Sequence, residues 1–168
     1  DYDVDLAILF SALPTESFKT IARVEQSVFA IMAPGHPLAD SEKLSLSQCV
    51  EFPLALHDSS FSVGQHLEAQ AHSSRLSLKP VIKSNSFILL QNYIMNSNAV
   101  GFEIEIGLSE NDLNGLVKRP LTLNKLNKIS VQLIQLRGRT LSVAAAKFAE
   151  QIGAVFIAIS VEHGDVIH

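Results

Sequence analysis

Tryptophan is absent from this 168-residue chain, and cysteine occurs once, as Cys49. A single cysteine excludes an internal disulfide and fits a reducing compartment. Cys49 is expected to behave as a small buried hydrophobe. Charge is sparse too. Thirteen basic residues against seventeen acidic ones give a formal charge of −4. A chain with that balance lacks the basic footprint that a phosphate backbone demands. If it belongs to a DNA-binding protein, the DNA contacts are expected elsewhere. No unbroken apolar run approaches the ~18 residues that span a bilayer, and no basic-then-apolar leader opens the sequence, so no membrane partner is expected. Gly-x-Gly-x-x-Gly, the Walker loop and the Gly-x-Ser-x-Gly elbow are all missing. The six histidines show no metal-ligand spacing beside further Cys, Asp or Glu. His66 and His72, six apart on one helix, point in different directions. Neither a metal nor a cofactor is expected.

What the chain does hold is apolar residues, 47% of the total against 18% charged. That supports a packed core and argues against disorder. The length suits one domain or two small lobes. The centre of the pattern is Val28–Asp40, VFAIMAPGHPLAD. Val28 to Met32 is an unbroken apolar run, the pattern of a strand covered on both faces. Pro34 and Gly35 stop it, since proline lacks a ladder N–H and glycine tolerates positive φ. His36-Pro37-Leu38-Ala39 then forms a turn.

Strands are predicted at 4–10, 21–33, 52–56, 79–83, 99–106, 116–121 and 129–136. Ala22, Val24, Gln26 and Val28 alternate ahead of the continuous run. Between 99 and 106, Phe102, Ile104 and Ile106 are expected to be buried, with Glu103 and Glu105 wet. Helices are predicted at 44–50, capped by Ser45; from Ser62, with Gln65 at capping-box spacing and Val63, Leu67 and Ala71 on one face; after Ser84-Asn85-Ser86, burying Leu89, Leu90, Tyr93 and Ile94; and at 141–157, with Phe148, Ile152, Val155 and Phe156 as a core stripe. Gly64 is a mild weakness in the second of these. Alternating strands and helices give an α/β fold. Residues 52–121 form a small sheet with two helices. Residues 1–51 and 122–160 lack the strands to close a sheet alone and are assigned to one partial second lobe, with 161–168 as a polar tail. Because Asp1–Phe10 already approaches a buried strand, the chain reads as a fragment whose N-terminal portion lies upstream.

Two chemical readings remain open for the loops. Ser59, Ser60 and Ser62, and again Ser84-Asn85-Ser86, stand where free N–H groups and the helix dipole favour an anion, at the carboxyl ends of strands where α/β folds hold ligands. The same serines would equally serve as helix caps. His57-Asp58-Ser59-Ser60 contains hydrolase residue types, but catalytic roles are normally filled from separate elements, so capping is the better reading and no catalytic residue is assigned. A hydrolase using His57 or Cys49 would lose ester turnover on His57→Ala or Cys49→Ala.

Six segments, in order, resemble the effector-binding domain of LysR-type transcriptional regulators. Val4-Asp5-Leu6-Ala7-Ile8 resembles its first strand here, His36-Pro37-Leu38-Ala39 its turn, and Leu46 to Pro53 its short helix and crossover. Ala99-Val100-Gly101-Phe102 stands in place of Gly-x-Gly-Ile, Gly115-Leu116-Val117-Lys118-Arg119-Pro120-Leu121 resembles the strand ending in Pro-Leu, and Leu141 to Phe148 resembles the opening of the last helix. Glu103-Ile104-Glu105 departs from the usual Leu-Pro. The resemblance implies a type II periplasmic-binding-protein-like fold of two lobes, one incomplete here, joined by two crossover strands with a small effector between them. It implies effector contacts at Phe10, Ser11, Ser59, Ser60, Asn85, Ser86, Gly101 and Phe102, homodimers or tetramers, DNA binding only through a winged helix-turn-helix absent from this chain, and a cytoplasmic location. The alternative is a fragment of a periplasmic-type solute-binding protein.

Overall fold

The computed structural model describes residues 4–10, 16–58, 62–108, 113–122 and 128–162. The chain divides into two units, 1–26 with 130–168 and 27–129. These bounds differ from the expected 51/52 and 121/122. The reason lies in β2 (Phe18–Met32), a strand of 15 residues whose second half pairs with later strands of the second unit. Residues 27–51 therefore go with the unit that the sequence assigned to 52–121.

In the first unit β1 (Leu6–Phe10) runs antiparallel to β8 (Lys128–Leu136), with Ile8 opposite Leu133. β8 in turn neighbours β2. The predicted alternation in β2 holds from Val24 onward: Val24, Gln26 and Val28 are buried, while Ala22 is half-buried. A Cβ on Gly153 of α4 (Val143–Glu162) would lie 3.9 Å from the Ala22 Cβ, so the helix rests on this strand. The face it buries is only partly the expected one, with Phe156 buried and Ile152 half-buried. Ala149, Phe156 and Ser160 are buried, whereas Phe148 and Val155 are exposed. Apolar residues surround this helix almost completely, so periodicity could not select one stripe. Although no unbroken apolar run reaches membrane-spanning length, Val143–Ser160 has a mean hydropathy of 1.5 and only two charged residues. By length and composition it could cross a membrane.

The second unit is a βαβ sheet built around β4 (Leu54–His57), all four of whose residues are buried. β4 leads through α2 (Ser62–Ser73) to β5 (Pro80–Ser84) on one side. It then returns through α3 (Phe87–Met95) to β6 (Val100–Ile104) on the other, and all three strands are parallel. β6 pairs antiparallel with β2, which also pairs with β7 (Val117–Thr122). A two-residue strand, β3 (Leu44–Ser45), joins β7 in parallel and shortens the predicted first helix to α1 (Leu46–Cys49). Ser45 caps α1 as expected, and Gln48 completes the reciprocal box. Val63, Leu67 and Ala71 of α2 are buried. On α3 only Leu90 and Ile94 of the four expected residues are buried. Among the described residues β5 has one strand neighbour, β4, and carries Pro80 and Lys83, features that blunt a sheet edge.

The His-Pro turn has a specific job. The Leu38 N–H donates to His36 Nδ1 at 3.1 Å, so Nε2 carries the ring hydrogen and donates to the Asn98 carbonyl at 3.1 Å. The ring also lies against Phe52. His36 thus ties the turn after β2 to the connection before β6.

Candidate functional site

The carboxyl ends of β4, β5 and β6 define the candidate site in the second unit. His57 is in register with Ser84, and the Asp58 N–H donates to the Ser84 carbonyl at 3.2 Å. Ala55 is in register with Gly101. Two residues further on, the same parallel alignment brings His57 beside Glu103, and Nε2 lies 2.8 Å from Oε2. Both side chains are largely buried, at 7% and 13% exposed. The other carboxylate oxygen accepts from the Ile104 N–H at 3.2 Å. A buried carboxyl held at both oxygens avoids the cost of an unsatisfied polar group. The expectation that Glu103 faces water is corrected here: alternation along one strand cannot show that the neighbouring strand supplies a partner.

Helix placement completes the surroundings. The His57 ring stacks on Phe87, the first residue of α3, with centroids 6.2 Å apart. Ser86 is the N-cap of α3 and accepts from the Leu89 N–H, while Ser84 Oγ accepts from the Ser86 N–H at 3.0 Å. The capping reading of these serines therefore holds in the structure. Their hydroxyl hydrogens are not spent on those bonds. At Gly64 tight packing stands beside the helix-propensity cost. A Cβ there would meet the carbonyl oxygens of Asp58 and His57 at 3.1 and 3.2 Å, so glycine lets the first turn of α2 close onto the end of β4. α2 begins at Ser62, so Ser62 lies within the helix and is not its cap as expected, and the preceding residue is outside the described ones.

The expected contacts separate into three groups. Asn85 and Ser86 are exposed at the start of α3, beside the His57–Glu103 pair. Gly101 and Phe102 are buried inside β6. A Cβ on Gly101 would lie 2.5 Å from Ile94 Cδ1 and 3.1 Å from Ile31 Cγ1, so its place is set by close packing of α3 on the sheet and not by an open surface. Phe10, at the end of β1, is 40% exposed and belongs to the first unit. Ser11, Ser59 and Ser60 lie outside the described residues. His57 and Glu103 were missed as a pair. A histidine ending one strand and a glutamate two positions past a buried glycine are the only linear signals, and register alone joins them.

Burial governs the other titratable groups. It pushes the Cys49 thiol up to about 12, so the thiolate needed for nucleophilic chemistry is not formed at neutral pH. The His36 pKa is lowered by burial, partly opposed by its bond to the Asn98 carbonyl, and burial also lowers that of His66. Among the described residues no group of three His, Cys, Asp or Glu side chains is arranged to hold a metal ion.

Comparison with known proteins supplies the wider frame. A family profile described as the LysR substrate binding domain matches residues 1–156. Among solved structures, HinK, a LysR family transcriptional regulator from Pseudomonas aeruginosa, is 19% identical with a TM-score of 0.71, covering 90% of this chain and 53% of that one. The Synechocystis PCC6803 CcmR regulatory domain in complex with 2-PG is 16% identical with a TM-score of 0.72, covering 92% and 74%. A reduced form of OxyR from N. meningitidis is 18% identical with a TM-score of 0.72, covering 90% and 72%. The chain thus spans about half the length of the first of these regulators. No curated protein matches it.

Proposed function

The chain belongs to the LysR substrate-binding domain family, and on that premise we propose that it senses a small organic acid for a transcriptional regulator. Its α/β fold is the type II periplasmic-binding-protein-like fold of that family. The family is a regulatory one, and the solute-binding alternative is not favoured by it. One observation carries the choice of ligand. The ends of β4 and β5 stand in register at His57 and Ser84, and α3 begins three residues after Ser84 with a serine cap. Exposed N–H groups and the positive end of a helix dipole there favour a carboxylate or phosphate.

In this reading Asn85 and Ser86 contact the effector directly. His57 and Glu103 hold the strand ends that present them. Phe10, Ser11, Ser59 and Ser60 stay as further candidate contacts. A solved relative, the effector binding domain of QuiR, is in complex with shikimate, and CcmR with 2-PG. Small acids of that kind are the first compounds to try. Effector binding favours one conformation, and the difference in affinity between conformations is passed on to DNA binding. We further propose that the protein works in the cytoplasm as a homodimer or tetramer and meets DNA through a separate domain.

Isothermal titration of the complete regulator with a panel of small carboxylates and phosphorylated acids tests this. At least one is expected to bind saturably, to shift promoter affinity, and to bind about tenfold more weakly after Ser86→Ala, roughly the loss of one charge-assisted hydrogen bond. Binding with no change in promoter affinity would remove the regulatory claim. Full affinity in both Asn85→Ala and Ser86→Ala would remove this site.

A further inference from the structure

A cavity of about 300 Å³ lies at the other end of α2, lined by Ser45, Ser47, Gln70, Ser74 and Thr122, with Leu46 and Leu76 supplying apolar surface. Gln70 is eight residues beyond Ser62, so helix geometry places it about 12 Å along the axis from the candidate effector site. Every lining residue belongs to the second unit. Ser45 and Thr122 are register partners on β3 and β7, and Ser74, the first residue after α2, donates its N–H to the Gln70 carbonyl.

Among the described residues the lining is uncharged, and its hydrogen-bonding capacity is only partly used. Gln70 is 5% exposed, yet no described residue bonds to its side-chain amide. Its carbonyl, by contrast, accepts from the Ser73 hydroxyl and the Ser74 N–H. Ser45 Oγ donates to Gln48 Oε1 at 2.9 Å and lies 2.9 Å from Ser47 Oγ. A hydroxyl has one hydrogen, so Ser47 is the donor in the second contact and its oxygen remains an acceptor. The cavity therefore offers acceptors at Ser47 and the Gln70 amide oxygen, donors at the Gln70 amide nitrogen, and both kinds at Ser74 and Thr122. Its volume is at the lower end of the small-molecule range.

We propose that this cavity is a second ligand site, separate from the effector site, for a small neutral polyhydroxylated molecule such as a monosaccharide or cyclic polyol. Each hydroxyl of such a ligand both donates and accepts, which matches the mixed lining. Its C–H faces suit Leu46 and Leu76. Among the described lining residues a carboxylate would meet acceptor oxygens without a cation. Ordered water is the competing occupant, since a polar cavity of this size holds several waters.

The test is a ¹H–¹⁵N correlation titration of the full chain with glucose, myo-inositol and glycerol. At least one probe is expected to shift the Gln70 side-chain amide and the Ser74 and Thr122 backbone amides saturably, leaving Ser86 unmoved. Affinity should fall at least tenfold in Gln70→Leu. Thr122→Val, nearly isosteric at an exposed position, gives a second reading that does not depend on Gln70→Leu folding, and there too binding should weaken. Absence of saturable shifts with all three probes would mean water only and would overturn the proposal. Equal shifts in the parent and in Thr122→Val would mark a general co-solvent effect and overturn it as well.

Discussion

The two units treat their helices differently. In the second unit α3 drives Leu90 and Ile94 into a cluster with Ile31, Ala55, Leu108 and Leu116, close enough that Gly101 has room for no side chain. In the first unit α4 is as apolar but rests more loosely on its strand: Gly153 has its nearest foreign atom at 3.9 Å, and Phe148, Val155 and Ile157 are half exposed. Apolar content alone does not make a core. Interdigitation does, and it depends on a small residue in one element facing a large one in the other.

The largest contrast is expected from truncating helix side chains. Ile94, fully buried, should cost about 2–5 kcal/mol as Ile94→Ala. Phe148→Ala in the first unit should stay within about 0.5 kcal/mol, as for a surface change. Urea unfolding of both variants measures this, and equal losses would erase the distinction between the units. A sharper pair uses glycine. Gly101→Ala forces Ile94 or Ile31 aside and should destabilise by about 1–3 kcal/mol. Gly153→Ala adds a methyl where there is space and should stabilise by up to about 1 kcal/mol through helix propensity. A stabilising Gly101→Ala would show that α3 packs less closely than described.

A smaller gain is expected at the end of α2. The Leu76 N–H reaches the Ala71 carbonyl and the Arg75 N–H that of His72, a Schellman closure that puts Arg75 at φ 56°. Glycine is the residue suited to that position, so Arg75→Gly should raise stability by about 1 kcal/mol. Loss of stability would mean the Arg75 side chain contributes more than its backbone costs. Smallest is a pH drift from His36. Its folded pKa is lowered, so over that window the unfolded chain binds the proton more readily. Its contribution is present above the unfolded value of 6.5 and is lost as pH falls from there through the lowered folded value. Denaturation midpoints should decline over that range and flatten in His36→Asn. A parallel decline in the variant would assign the drift to other groups.

Much of the second unit could be read in the linear chain. Alternation in β2, the face of α2 and the Ser45 cap were explicit because each signal is local. The His36 turn was visible as punctuation, but its bond to Asn98 was not, since 62 residues separate them. At the candidate site the Ser84-Asn85-Ser86 cap was legible and the His57–Glu103 pair was not. That pair exists only once β4 and β6 are aligned side by side. The stripe on α4 was only partly right for the opposite reason: too many apolar positions fitted. Gly101 was noticed as part of a motif, whereas its actual constraint is the Ile94 methyl lying over it.

Among the described residues β5 is the last strand of the second unit's sheet, with β4 its one strand neighbour, and Val81 on it is 57% exposed. Pro80 withholds one donor, and the Lys83–Glu68 contact at 3.3 Å sets charge along the same margin. Replacing Pro80 and Lys83 by valine would turn this margin into a template for stacking molecules edge to edge at high concentration.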